Sequence, residues 1–535
     1  MTEAQVHLNT KVTDITTING KYQLTAGKNT YDCDGVIIAA PLEHSAIQIP
    51  TQIPSPRTFQ MTHSALIEGE LNTAFFKTTD LPEMILTTEN TSLTFSSIGL
   101  IYSKVDGVKF SAAYFLSQAD DVTLSVFEKY DRVGGRMTDF PFRDATIEAG
   151  GTIIHVNNKY MVGFAQLLGL QLVSPGRYFD GVMRMGIYNG HEFVLMTSQW
   201  SLLSTLNMLW RYGIGNLRAM GGKVQETLEK FEKIYTLQDD NKSYKSPDEM
   251  LKAIELFETT QISLEAIMTE LEIDPRLINE LMAAITRVNY GQNTTMSGFG
   301  GLVGLAGSGS DLRAVVGGDA QIPQGLLEMA KAQVHLNTKV TAITSTNGKY
   351  QLRAKENTYD CDGVIIAVPL EHCAIQLPVQ NTLERTFQIT HTTFVEGDLN
   401  TAFFETTDLP EMILTTENTS LIFTSIGLQY RKDGVSLYKV FSRSPMTPDT
   451  LSLLFLPSYK VIQTYPWSAY PKYKVPETFT PFELLPGLLY PNAIENAASA
   501  MEMSALSGRN AAILMQNFLG LEPTSMPFAH VKEEL

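Results

Sequence analysis

The chain has 535 residues, enough for two or three packed domains. Hydrophobic residues make up 44% and charged residues 18%, the balance of a folded globular protein and not of a disordered one. The net charge of -17 argues against a nucleic-acid partner, which needs a basic surface, and against any general attraction to anionic lipid.

The first residues, MTEAQVHLNT, show no basic region followed by an apolar one, so no signal peptide is expected. No apolar run is long enough to span a bilayer. Residues 4–104 recur at 332–432 with a constant offset and roughly three in four positions identical. AQVHLNTKVT, YDCDGVIIA and LNTAFF each occur twice. Two copies this far apart are not a stacked array, which needs at least three short units. Differences such as Glu70 against Asp398 and Ile67 against Val395 keep side-chain type, as two related coding sequences would.

Each copy opens with a predicted hairpin, which in copy two is HLNTKVTAI, a turn at Asn347-Gly348, and KYQLRA. DGVIIAVPL follows, a continuous apolar run that predicts a buried parallel strand. Copy one begins almost at residue one, so it reads as a fragment without the partners its apolar faces need. SLTFSSIGLIYS (92–103) has β character, and SAAYFL (111–116) predicts a helix. VTLSVFEKYDRVGG (122–135) alternates and ends in Glu128, a strand whose last residue can accept hydrogen bonds from a ribose hydroxyl pair. Gly134 and Gly135 would let the backbone approach a pyrophosphate, and Arg136 would offset its charge. Gly150 and Gly151 make a turn close to His155. The central region predicts helices: Ser246-Pro247-Asp248-Glu249 is a capping box ahead of Met250, Ile254 and Phe257, and Asp274-Pro275 opens another with Leu277, Ile278 and Leu281. The methionines there read as core filler. GGDAQIP (317–323) and the small-residue helix ENAASAMEMSALSGRN (495–510) complete the series, the latter able to bring N–H groups to an anion.

Three cysteines, Cys33, Cys361 and Cys373, support neither a disulfide framework nor a metal site, and no metal is expected. Asn90, Asn241, Asn293 and Asn418 begin sequons that matter only on the secretory route. The terminal KEEL is similar to an ER-retrieval tail, with a chance acidic end the plainer reading.

From about Phe110 to Leu519 the chain resembles prenylcysteine oxidase, called farnesylcysteine lyase in plants. The resemblance is carried by VFEKYDRVGGR, TRVNYGQ (286–292), SGFGGLVGLAGSGSDL (297–312), the 317–323 motif, WSAYPKY (467–473) and AASAMEMSA. It implies an α/β fold with a Rossmann-like FAD-binding domain and an α+β substrate domain. It also implies hydride transfer from the prenyl carbon beside sulfur to flavin, attack of water, and release of a prenal, free cysteine and hydrogen peroxide, with molecular oxygen as oxidant. By resemblance, Glu128 serves the ribose, Gly134, Gly135 and Arg136 the pyrophosphate, Val340 the adenine, and Gly150, Gly151, Ala497 and Met501 the flavin end. His155 matches a family histidine of unassigned role, no catalytic residue is singled out, and lysosome, vacuole or secretory route is the implied compartment.

The family begins with a strand and G-x-G-x-x-G, yet the residues ahead of Ser111 read LIYSKVDGVKF, with Lys109 near the last fingerprint glycine. The expected organisation is a partial duplicate at 1–108 of 332–435 and a truncated FAD-binding region with a helical insertion at 109–330. FAD-domain strands at 331–370, a substrate domain at 371–480, a C-terminal FAD-domain helix at 481–520 and a tail at 521–535 follow. The Rossmann sheet is expected to lack its first strand and phosphate loop, with 92–103 the candidate to fill the strand. Two other readings stay open: an inactive fusion product, and a flavin-free prenyl-binding protein of the Rab GDP-dissociation inhibitor kind.

Overall fold

The computed structural model describes residues 12–18, 21–26, 29–33, 96–102, 108–175, 183–198, 201–308, 311–372, 374–379, 385–418 and 420–522. The chain divides into two compact units, Met1–Asn90 and Thr91–Leu535. In the first, strands β1 (Val12–Ile18), β2 (Lys21–Ala26) and β3 (Asn29–Cys33) form an antiparallel meander. Its counterpart in the second unit is Val340–Thr346, Lys349–Ala354 and Asn357–Cys361. The two meanders share one register, Val12 opposite Ala26 and Val340 opposite Ala354, with the irregularity at the same place in each. The copy-one equivalents of the following apolar strand, 35–39, lie outside the described residues.

The second unit is built on a six-stranded sheet ordered Gln333–His335, Val122–Glu128, Ser96–Tyr102, Gly363–Ala367, Leu488–Leu489, Glu483–Leu485, all parallel except the last pair. In chain order the parallel strands run 3-2-1-4-5, the doubly wound pattern that places a ligand crevice beyond the carboxyl ends of the strands. The expectation of a missing first strand is thereby corrected. Strand β4 (Ser96–Tyr102) pairs along its whole length with β5 (Val122–Glu128) on one side and with Gly363–Ala367 on the other. A central parallel slot needs only a short extended segment offering backbone donors and acceptors on both edges, which SSIGLIY does. The phosphate loop would fall at 103–107, outside the described residues, as do the side chains of Val108 and Lys109.

Helix α1 (Val108–Leu116) follows, and Phe110 through Leu116 are all buried. Ser111 donates to the Ala505 carbonyl (2.7 Å), which seats α1 against the C-terminal helix Met501–Leu519. Gly363–Ala367 is buried at every position, as an apolar run inside a doubly covered parallel sheet must be. A seven-stranded mixed sheet, from Phe193–Met196 at one edge to Lys460–Pro471 at the other, forms the second layer system. Between them stand the helices. Ser246 caps Pro247–Ala253 by accepting from the Glu249 N–H (3.2 Å), while the Glu249 carboxylate accepts from Lys245 (2.9 Å), one residue before the expected partner. Asp274 caps the next turn, and Leu277, Ile278 and Leu281 enter the helical core with Met268 and Met282.

Candidate functional site

A cavity of about 860 Å³ lies between the sheet layers of the second unit. It brings together segments far apart in sequence. Arg136, Gly150, Gly151 and His155 come from the loops after β5; Tyr290 and Phe299 from TRVNYGQ and the glycine-rich helix; Lys439, Trp467 and Tyr470 from the large sheet; and Met501 and Glu502 from the C-terminal helix start. Most of the wall is apolar, with Phe231, Leu302, Leu414 and Phe441 among its members.

The floor is shaped by glycine. Gly150 has no room for a side chain, because a Cβ there would overlap the Arg136 carbonyl oxygen. The Gly151 N–H donates to that same oxygen (3.1 Å), and a Cβ on Gly151 would sit 3.4 Å from the Met501 sulfur. Gly134 and Gly135 adopt φ of 99° and 57°, conformations that favour glycine, and turn the chain from β5 toward Arg136. The Arg136 guanidinium bonds the Ala469 carbonyl and pairs with the buried Glu495 at 3.1 Å.

Glu128 ends β5 fully buried; its Oε1 accepts the Tyr130 N–H (2.8 Å) and its carbonyl accepts the Thr338 N–H (2.7 Å). Thr338 leads directly into Val340, buried at the start of the meander, so Glu128 and Val340 share the carboxyl end of the sheet. Arg136, Gly150, Gly151, His155 and Met501 line the cavity, whereas Glu128, Gly134, Gly135, Val340 and Ala497 lie outside its lining. Ala497 is buried and closes the 3-10 turn Pro491–Asn496; the helix itself starts at Met501. His155 is half-buried, and its Nδ1 accepts the Asn157 N–H (3.2 Å).

Sequence reasoning passed over the titratable groups around this floor. Lys439, buried on strand Val435–Ser442, donates to the carbonyls of Glu148 (3.1 Å) and Gly150 (3.3 Å). Burial brings its amine down to about 8 despite the opposing charges of Glu148 and Asp319. Asp319 is fully buried beneath Gly151, and burial, with Glu148 and then Asp139 nearby, holds its carboxyl well above the usual range. Glu502 accepts from Tyr160, Met161 and Tyr235, yet burial still pushes it up to about 7. Asp319 and Glu502 stood inside motifs already noticed, so polar residues in small-residue segments were the available signal. Lys439, alone in an apolar strand, offered none.

The motif segments also lock one another. Gln292 donates to the Pro471 carbonyl (2.9 Å) and accepts the Tyr473 N–H (2.8 Å), and the Tyr473 hydroxyl accepts the Ser499 N–H (2.8 Å). Tyr290 meets Tyr470 and Tyr473 edge-on, with centroids 5.0 and 5.4 Å away. This arrangement can hold an extended apolar group against a wall of aromatic rings beside a buried cation.

A profile of the prenylcysteine lyase family matches residues 1–118 and 195–524, and one of an NAD(P)-binding Rossmann-like domain matches 110–167. The chain is 35% identical to farnesylcysteine lyase of Arabidopsis thaliana over 436 residues, 78% of this chain and 86% of the relative. It is 33% identical to prenylcysteine oxidase 1 of Homo sapiens over 454 residues, 78% and 88% of the two chains. Among solved structures it is similar in fold to cyclohexylamine oxidase from Brevibacterium oxydans, with a TM-score of 0.51 at 14% identity over 80% of this chain and 99% of that one. A redesigned putrescine oxidase is similar to the same degree, with a TM-score of 0.51 at 13% identity over 79% and 99%. At such identity the likeness is one of fold, that of amine-oxidase-like flavoproteins.

Proposed function

The chain belongs to the prenylcysteine lyase family, and from that premise we propose that it is an FAD-dependent oxidase of S-farnesyl- or S-geranylgeranyl-cysteine, releasing a prenal, free cysteine and hydrogen peroxide. The observation that carries this reading is the cavity itself, where a long apolar wall meets a glycine floor, Arg136 and Lys439. Its volume is that of a pocket for a sizeable organic ligand, in the range of roughly 300–1,000 Å³.

The residues present fit a dinucleotide at both ends. Glu128 and Val340 would hold the adenosine end at the carboxyl edge of the sheet, Gly134, Gly135 and Arg136 would flank the pyrophosphate, and Gly150, Gly151, Ala497 and Met501 would border the ring system. The side-chain-free floor at Gly150 and Gly151 is what a flat ring needs for close approach. The chemistry supplied by a bound flavin is two-electron oxidation of the prenyl carbon next to sulfur, with oxygen as final acceptor. This chain's own residues do the rest. Phe231, Phe299, Leu302 and Phe441 take the prenyl chain out of water, and the Tyr290–Tyr470–Tyr473 cluster gives it a rigid wall. Lys439 Nζ spends two of its three N–H donors on the carbonyls of Glu148 and Gly150, which leaves one for an oxygen in the cavity, such as that of the water that hydrolyses the oxidised thioether.

A second reading has one observation behind it: SKVDG at 103–107 lacks the glycines of the dinucleotide fingerprint, which suits a prenyl-binding protein without flavin. Purified full-length protein incubated with S-farnesylcysteine separates the two. Farnesal and peroxide release together with a visible flavin band support the oxidase; no flavin band with retained binding of a prenylated peptide supports the alternative. Replacing 103–107 by a glycine fingerprint should raise flavin occupancy, and no gain would refute the proposed placement.

A further inference from the structure

Helix Ser201–Tyr212 is amphipathic in two directions at once. Met208 and Tyr212 turn inward to the helical core. Leu203, Leu206 and Trp210, spaced i, i+3 and i+7, share the opposite face and are 49, 51 and 88% exposed. Ile214, the first residue of the next helix Ile214–Asp239, adds a further residue at 51%. Scattered exposed leucines need no explanation, but a stripe that ends in a nearly bare tryptophan does.

The charge around this stripe departs from the rest of the chain. Residues 193–225 contain no aspartate or glutamate, although the protein holds 57 of them. Arg218, one turn after Ile214, is exposed, and so is Arg276, whose guanidinium reaches the Arg211 carbonyl at 3.5 Å. Glu280 is already held by Arg211 at 2.6 Å. The same long helix runs on into the cavity wall through Val224, Leu228 and Phe231.

We propose that this face docks on the surface of a lipid bilayer, with Leu203, Leu206, Trp210 and Ile214 entering the headgroup–acyl boundary and Arg218 and Arg276 meeting headgroup phosphates. An apolar stripe with tryptophan, flanked by arginine and free of acids, is the composition of an interfacial helix. The remainder of the chain, strongly acidic, is repelled by anionic headgroups, so the attraction also sets orientation. Among the described residues no helix is long and apolar enough to cross a membrane, and surface docking requires none. Only one corollary rests on the proposed substrate: the docked helix would bring the cavity wall to the phase in which a prenyl chain dissolves.

The test is flotation of the purified full chain with vesicles of phosphatidylcholine, with and without phosphatidylserine. Wild type should rise with the vesicles, and more with phosphatidylserine. Leu206→Glu combined with Trp210→Glu, at exposed positions, should keep the far-UV spectrum and melting profile while flotation falls at least about tenfold. Arg218→Glu should weaken flotation chiefly on phosphatidylserine vesicles. Wild type that stays at the bottom with both vesicle types, or a double variant that floats like wild type, would overturn the proposal. So would a wild-type dimer that the double variant dissolves with no vesicle binding, because the face would then join copies of the chain. Turnover is not read, so failure here leaves the substrate reading standing, and the reverse holds too.

Discussion

Replacing Glu502 by glutamine should remove a specific pH dependence of stability. Its Oε1 accepts the Tyr160 N–H (2.9 Å) and the Tyr235 hydroxyl (2.7 Å), and its Oε2 accepts the Met161 N–H (2.9 Å). Tyr160 and Met161 stand in the first turn of helix Lys159–Leu167, whose own N-cap residue Asn158 makes no side-chain cap. The carboxylate therefore caps that helix from another one. Burial outweighs these donors and raises the group from 4.5 to about 7. A carboxyl whose folded value lies above its unfolded value binds its proton more tightly when folded. Its stabilising contribution is full below about pH 4.5, declines as pH rises to about 7, and is flat beyond. At about 1.4 kcal/mol per pH unit, that interval is worth about 3 kcal/mol. Glutamine cannot titrate, and its amide would face the Met161 N–H donor to donor, at a cost of about 1–3 kcal/mol. Urea midpoints of wild type and Glu502→Gln between pH 4.5 and 8 give the test. The advantage of wild type should shrink by about 3 kcal/mol across the window, and Glu477, also up to about 7, cancels in the difference. Parallel curves would refute the reasoning.

Lys439→Met should lower peroxide release by about 100-fold and erase a decline that wild type shows as pH rises through about 8, where the buried amine loses its proton; a decline that survives the substitution would clear Lys439 of the role. Gly150→Ala forces a Cβ into the Arg136 carbonyl and should cost about 1–3 kcal/mol or more, seen as a lower melting temperature. Gly222→Ala is the contrasting control, since its Cβ meets nothing within 4 Å on a helix, and it should stabilise by about 1 kcal/mol. Tyr473→Phe strands the Ser499 N–H, so chemical denaturation should register a loss of about 1–3 kcal/mol.

What sequence made legible is what local rules decide. Asn347 and Gly348 both take positive φ, as a two-residue hairpin turn demands, and the VIIA run lies buried in a parallel sheet. The motif segments converge on one cavity as their order implied. The central strand was harder, because the loss of glycines marks the loop and says nothing about which segment fills the slot; β character in SSIGLIY was the usable cue. Lys439, Asp319 and the capping role of Glu502 depend on partners hundreds of residues away. No window along the chain holds that information.

The two meanders with one register have a consequence for how the chain is made. The strand GVIIA that enters the six-stranded sheet at 363–367 is spelled identically at 35–39. Copy one leaves the ribosome first, before the sheet exists to receive either segment. When the slot beside Ser96–Tyr102 forms, two equivalent strands compete for it, and side-chain fit in the strand cannot choose between them. The choice falls to what flanks the strand, chiefly the Leu488–Leu489 pairing and the helix Met501–Leu519, which the second copy alone has close behind it in the chain. Errors in this protein are therefore expected as exchanged strands more than as open ones.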